Sequence, residues 1–298
     1  MCGIASWFSN HTIPSYQDIR QLAFDCEKRG KDGFGFCHVN RQFGEVSVFR
    51  SKKPFSQIED TKEWRDFYIT LTKNRGDVYM MIARAAPETE CATSSDNLKE
   101  TLQPTICSSG FATDIVHKKQ FEDILITNLK ISDGGEALLS VHNGSVSNKI
   151  RDELQSKYGV QYLTKVDSEA IVQAYYTFNK DIKRTFEYLS GGFATILFDY
   201  KRSKLFLITD FKPLAMGHRC GYGTYVASTK DSIDRIIQLS TRETPDSNVW
   251  GTYYSKWLEG GTITEIDLDS GICSTIEYSP RFITPFWDSN KKLLQEEV

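Results

Sequence analysis

Met1-Cys2-Gly3-Ile4-Ala5-Ser6-Trp7-Phe8 opens the chain, and its reading decides the fold. Cys after an initiator Met is small enough for the Met to be trimmed routinely, which would leave Cys2 as the mature N-terminus. Cys2 would then carry a thiol and a free α-amine a few bonds apart. That amine has an unperturbed pKa of about 7.7–8.0, suited to a general base near neutrality. A nucleophile activated by an N-terminal amine needs no separate His. The ordinary reading of a Cys at position 2 is an accident of sequence. The run from Gly3 to Phe8 argues otherwise: it reads as a short buried strand, holding the terminus inside the fold where most termini fray.

The composition is that of an ordinary globular protein, with 298 residues, 40% of them apolar and 25% charged. A net charge of −3 and the absence of a Lys/Arg cluster argue against nucleic acid as a partner. No apolar run approaches the roughly 20 residues of a membrane span, and no signal peptide is visible, so a cytoplasmic protein is expected. The Cys residues at 2, 26, 37, 91, 107, 220 and 273 are odd in number and widely spaced. They read as reduced thiols. His11, His38, His117, His142 and His218 show no paired ligand spacing. Neither a metal nor a cofactor is expected.

Outward from the first strand, Ser15 and Asp18 form a capping box ahead of Ile19, Leu22, Ala23 and Cys26 at helical spacing, with Gly30 closing the helix. Arg29-Gly30-Lys31-Asp32-Gly33-Phe34-Gly35 indicates a tight backbone path into a strand. Strands are predicted over 45–50 and 77–84, a helix and loops over 51–76, an exposed loop over 88–101, and a helix from His117 to Leu129. Leu138–His142 reads as a buried strand running into Asn143-Gly144. Helices follow over 148–158, after an Asp167 N-cap, and over 181–189. The last third is β-rich: 192–199, 204–210, 225–228, and 262–268 paired with 272–277, with a helix carrying Ile233, Ile236 and Ile237. Strands with helices between them in this order suggest a single-domain α+β layered sandwich.

Asn143-Gly144 is ordinarily a hairpin turn. Here the following residues read as helix, and an Asn amide with a Gly N–H at a strand end would make a good oxyanion hole. Arg84, ending a strand, and Asp167, opening a helix, are individually weak signals. In this order, MCGI at 1–4, RGKDGFG at 29–35, the Arg of IAR at 82–84, QP at 103–104, VHNGSVSN at 141–148 and VDSEAI at 166–171 resemble the class II glutamine amidotransferase domain. GGFATILFD at 191–199, TDFKPLAMG at 209–217 and VAS at 226–228 are weaker echoes. The resemblance covers about residues 1–275.

The resemblance implies a four-layer αββα sandwich of the N-terminal nucleophile hydrolase type over 1–275, with a tail over 276–298. It implies Cys2 as nucleophile and its α-amine as base. Arg84 would clamp the substrate α-carboxylate, for which a planar guanidinium is suited. Asp167 would hold the α-ammonium, and the Asn143 amide with the Gly144 N–H would form the oxyanion hole. The implied reaction is hydrolysis of L-glutamine through a γ-glutamyl thioester, with ammonia passed to a synthetase or transferase on a separate protein. Two alternatives stay open: an amidohydrolase acting on another γ-glutamyl amide, and a non-enzymatic regulatory subunit. One departure is Ala85-Ala86-Pro87-Glu88 after the Arg, where the family often has an aromatic or Leu, a small residue, Thr and His.

Overall fold

The computed structural model describes residues 2–9, 12, 14–73, 76–85, 103–109, 113–162, 166–189, 191–219, 222–242 and 253–279. In chain order the strands are β1 (Gly3–Phe8), β2 (Phe34–Asn40), β3 (Glu45–Ser51), β4 (Val78–Ala83), β5 (Thr105–Ser109), β6 (Thr113–Gln120), β7 (Ile124–Ile131) and β8 (Glu136–Gly144). They continue as β9 (Phe193–Asp199), β10 (Lys204–Thr209), β11 (Ala215–Arg219), β12 (Gly223–Ala227), β13 (Tyr253–Trp257), β14 (Thr262–Asp267) and β15 (Cys273–Glu277). Among the described residues the helices are α1 (Tyr16–Glu27), α2 (Phe55–Ile58), α3 (Lys62–Lys73), α4 (Asn148–Tyr158), α5 (Glu169–Thr177), α6 (Ile182–Tyr188) and α7 (Lys230–Arg242).

Two antiparallel sheets result. One has nine strands in the order β13-β11-β12-β1-β4-β2-β3-β7-β6, the other six in the order β15-β14-β10-β9-β8-β5. Side chains alternate across a strand, so a strand apolar on both faces must be covered on both. Ile4 and Phe8 of β1, with Met80 and Ile82 of β4, face Leu139 and Val141 of β8 and Ile196 of β9 between the sheets. Ala5, Trp7, Phe34 and Phe36 face outward onto Ile19 and Leu22 of α1, Trp64 of α3 and Ile233 of α7. Leu138, Leu197 and Phe206 face outward from the second sheet onto Ile150 of α4, Ile171 of α5 and Phe186 of α6. The layers are αββα, as the motif resemblance implies.

Local signals set most of these elements. The Ser15–Asp18 capping box is present in both directions. Gly159 closes α4 in the left-handed conformation (φ 71°), and the Asp181 carboxylate accepts from the Arg184 N–H at 3.0 Å. The predicted helix over 117–129 is wrong: the chain there forms the hairpin of β6 and β7, turning where the Phe121 N–H donates to the Ile124 carbonyl. Ile124-Leu125-Ile126-Thr127 is apolar and β-branched enough to line the open edge of β3, and that tertiary pairing overrides a helical spacing. Helix α1 stops at Glu27 rather than at Gly30. The strands β5, β11 and β13 have no counterpart in the sequence reading. The predicted loop over 88–101, and 280–298 of the tail, lie outside the described residues.

Candidate active site

The antiparallel register of β1 on β4 pairs Gly3 with Ala83 and Ile4 with Ile82, so one step further brings Cys2 opposite Arg84. Both lie in the same alternation phase as Ile4 and Ile82, which point between the sheets. The head of β1 is pinned from both sides. The Ile4 N–H donates to Ser228 Oγ at 3.0 Å, and the Ser228 N–H donates to the Ile4 carbonyl at 2.9 Å. Arg29 Nε donates to the Cys2 carbonyl at 3.3 Å. The Ala85 N–H donates to Cys2 Sγ at 3.4 Å, and Sγ lies 3.9 Å from the Ala85 carbonyl, so the residue after Arg84 holds the sulfur in place. Cys2 is half-buried, and its sulfur is poised at the edge of the inter-sheet core.

The glycine-rich segment explains how Arg84 is held. Its N–H donates to the Gly33 carbonyl at 2.9 Å, and its carbonyl accepts from Asp32 at 2.8 Å. A Cβ on Gly30 would lie 2.4 Å from the Arg84 carbonyl carbon, and one on Gly35 would lie 1.9 Å from the Gln103 carbonyl oxygen. Gly30 and Gly35 are therefore required by close backbone approach. Arg84 itself is buried, at 9% exposure.

Asn143 and Gly144 end β8, which packs against both β1 and β4. Asn143 continues the phase of Leu139 and Val141, toward the space between the sheets. It is 1% exposed, and its Nδ2 has no hydrogen-bond partner among the described residues. A buried, unpaired donor costs about 1–3 kcal/mol, and this one faces the space between the sheets, free to meet an incoming acceptor. Gly144 has φ +142°, and a Cβ there would lie 2.2 Å from the Gly192 carbonyl oxygen. As the sequence suggested, Asn143-Gly144 is a strand end leading to α4 and not a hairpin.

Asp167 is not the N-cap. That position is Ser168, without a side-chain cap bond. The Asp167 carboxylate instead accepts the Val146 N–H at 2.8 Å, fixing it to the segment just past Gly144. Gln103 connects the two sheets at this end. Its backbone lies against Gly35, next to β4, while its Oε1 accepts from the His142 N–H at 2.6 Å. Gln103, His142 and Ser228 were not singled out as site residues. The QP, HNG and VAS fragments contain them, but their partners are more than 25 positions away in sequence.

Residues 130–235 match the family model of the glutamine amidotransferase domain. Over that segment, about a third of its length, the chain is similar to the glutamine amidotransferase domain. The matched segment contains Asn143, Gly144 and Asp167, whereas Cys2 and Arg84 lie outside it. Proteins of Mycobacterium bovis and Mycobacterium tuberculosis, provisionally named glutamine-hydrolysing asparagine synthetases, are 34% identical over 104 residues. That alignment covers 33% of this chain and 15% of theirs. Glutamine phosphoribosylpyrophosphate amidotransferase of Bacillus subtilis superposes with a TM-score of 0.62 at 16% identity, covering 93% of this chain and 49% of that one. A structure described as the allosteric regulatory enzyme of purine biosynthesis gives 0.63 at 18% identity, covering 94% and 50%. The chain thus shares the fold of those two structures and spans about half their length. No helix among the described residues is long and apolar enough to cross a membrane.

Proposed function

We propose that this domain hydrolyses the side-chain amide of L-glutamine, with Cys2, exposed by removal of Met1, as nucleophile. The Cys2 α-amine takes the thiol proton as sulfur attacks the amide carbon. The carbonyl oxygen becomes an oxyanion held by Asn143 Nδ2 and the Gly144 N–H. The same proton then goes to the departing nitrogen, ammonia leaves, and water hydrolyses the γ-glutamyl thioester to glutamate. Arg84 binds the α-carboxylate and Asp167 the α-ammonium. The single observation that carries this reading is the Asn143 amide, buried and without a partner among the described residues, on a strand that packs against the Cys2–Arg84 edge. Ammonia protonates in water, so its use requires a sheltered route to an acceptor site, here proposed on a partner protein.

The experiment is glutamate release by purified protein, alone and with a candidate synthetase and its substrates, beside Cys2→Ala. Release that depends on Cys2 and rises with the partner is expected. Cys2-dependent release at a full rate without any partner would favour a free-standing amidohydrolase. Release from another γ-glutamyl amide but not from glutamine would move the substrate. No release from any such amide would leave a regulatory module.

A further inference from the structure

The oxyanion strand end and the carboxylate at Asp167 belong to different elements, and one buried hydrogen-bonded bridge joins them. We propose that His142, acting with Gln103 and Ser168, is a positioning residue that sets Asn143-Gly144 in register with Asp167. The proposal rests on the glutaminase reading and deepens it.

The bridge can be oriented by donor and acceptor rules alone. The His142 backbone N–H can only donate, so the Gln103 end facing it at 2.6 Å is the carbonyl Oε1. Gln103 Nε2 must then donate to Ser168 Oγ, 2.7 Å away. Ser168 Oγ also lies 3.1 Å from His142 Nδ1 and 3.5 Å from Asp167 Oδ1. A hydroxyl has one proton to give, and a carboxylate is a stronger acceptor than a neutral imidazole nitrogen. Although Asp167 is the farther of the two, the Ser168 proton is assigned to it, so that His142 donates to Ser168 as the Nδ1–H tautomer and its Nε2, buried without a partner among the described residues, is the nitrogen that carries no proton. Burial favours this neutral imidazole by lowering its pKa, with the Asp167 charge opposing.

Gln103, His142 and Ser168 are 6%, 1% and 0% exposed, so these bonds form away from competing water. Asp167 Oδ2 is fixed by the Val146 N–H at 2.8 Å, and Oδ1 lies within a longer 3.5 Å contact of Ser168 Oγ. Both contacts lead back to the 142–146 segment. The Gln103 backbone, against Gly35, ties the same bridge to the sheet that carries Cys2 and Arg84. His142 touches no reacting atom in this scheme. It acts through Ser168 and through its own peptide N–H.

The test uses the wild-type protein, His142→Leu, His142→Asn and Cys2→Ala. Glutamate release is measured as kcat and KM, the fold is checked by circular dichroism and thermal unfolding, and the His142 imidazole is assigned by 15N NMR. His142→Leu should fold and lose about 10²-fold in kcat, the cost of roughly 1 Å of misplacement. His142→Asn, whose amide nitrogen takes the place of Nδ1, should recover most of that loss. The wild-type ring should be the neutral Nδ1–H tautomer. A folded His142→Leu with unchanged kcat would overturn the proposal, as would an Asn variant as slow as the Leu variant. An Nε2–H tautomer or an imidazolium at pH 7 would also overturn it. Absence of glutamate release by the wild type would refute the glutaminase reading instead, and the tautomer would still decide the bridge, as it would should His142→Leu not fold.

Discussion

Asn143→Ala separates catalysis from stability at one side chain. The amide Nδ2 is buried without a partner among the described residues, so the resting protein carries a desolvation cost of about 1–3 kcal/mol there. Truncation relieves that cost but removes packed atoms, which typically costs a similar amount in a buried site. The two nearly cancel, and the net change in stability should stay within about 1 kcal/mol, a shift of roughly 2–4 °C in Tm. The transition state has no such compensation. Loss of one oxyanion donor should lower kcat by about 10²–10³-fold, or about 2.7–4 kcal/mol, with KM for glutamine little changed. Glutamate release across a glutamine series gives kcat and KM, and calorimetry gives Tm. A raised KM at constant kcat would refute the oxyanion assignment. A Tm loss well beyond 4 °C would show that the amide holds the fold and not a transition state.

The remaining expectations concern the thiol, the clamp, the tight glycine and a stray carboxylate. 6-Diazo-5-oxonorleucine should alkylate Cys2 and spare Cys26 and Cys37, since burial raises both thiols, that of Cys37 to about 12; peptide mass spectrometry locates the adduct. Intact mass should show Met1 removed in active protein. Arg84→Lys and Asp167→Asn should raise KM far more than they lower kcat, because both groups are proposed to hold the amino-acid end of the substrate. Gly144→Ala should cost about 1–3 kcal/mol in backbone strain alone, plus relief of the 2.2 Å overlap with Gly192, and should drop kcat as well as Tm. The Asp210 carboxyl is raised to about 6 by burial, with Oδ2 unpartnered among the described residues. A raised acid weakens the fold above that pH, and the penalty fades as pH falls from about 6 toward the unfolded value of about 3.9. Asp210→Asn should therefore stabilise by about 1 kcal/mol at pH 7.5, after discounting for its half-exposed position, and by little at pH 4.

Much of the fold was legible because its cues are local. The capping box at Ser15, the Gly159 stop and the two-sided apolar runs of β9 and β10 each report on a few neighbouring residues. The hairpin over 113–131 was not legible, since nothing local distinguishes Phe121, Ile124, Leu125 and Leu129 on a helix face from a strand. What decided it was the free edge of β3, some 75 residues upstream. The site divides the same way. Cys2, Arg84, Asn143, Gly144 and Asp167 stand out by motif, whereas the Gln103–Ser168 bond spans 65 positions and the Ile4–Ser228 bond spans 224. A motif can contain such residues without revealing what they touch.

The glycines show why the motifs are spaced as they are. Gly3 lies against the Cys26 backbone, Gly30 against Arg84, Gly35 against Gln103 and Gly144 against Gly192, each so close that a Cβ would fall within 2.4 Å of a backbone atom. Each contact joins a site residue, or its immediate neighbour, to an element far away in sequence. Main chain packed against main chain leaves little freedom for the reacting groups to drift, which is what oriented catalysis requires. It also means that the two halves of the candidate site, Cys2 and Arg84 on one sheet and Asn143 with Asp167 on or beside the other, depend on the spacing between sheets. Gln103 meets both halves, its backbone at Gly35 and its side chain at His142 and Ser168. Loosening the Gln103 side-chain contacts should therefore disturb the proposed oxyanion and α-ammonium groups together, where substitution of Asn143 or Asp167 disturbs only one.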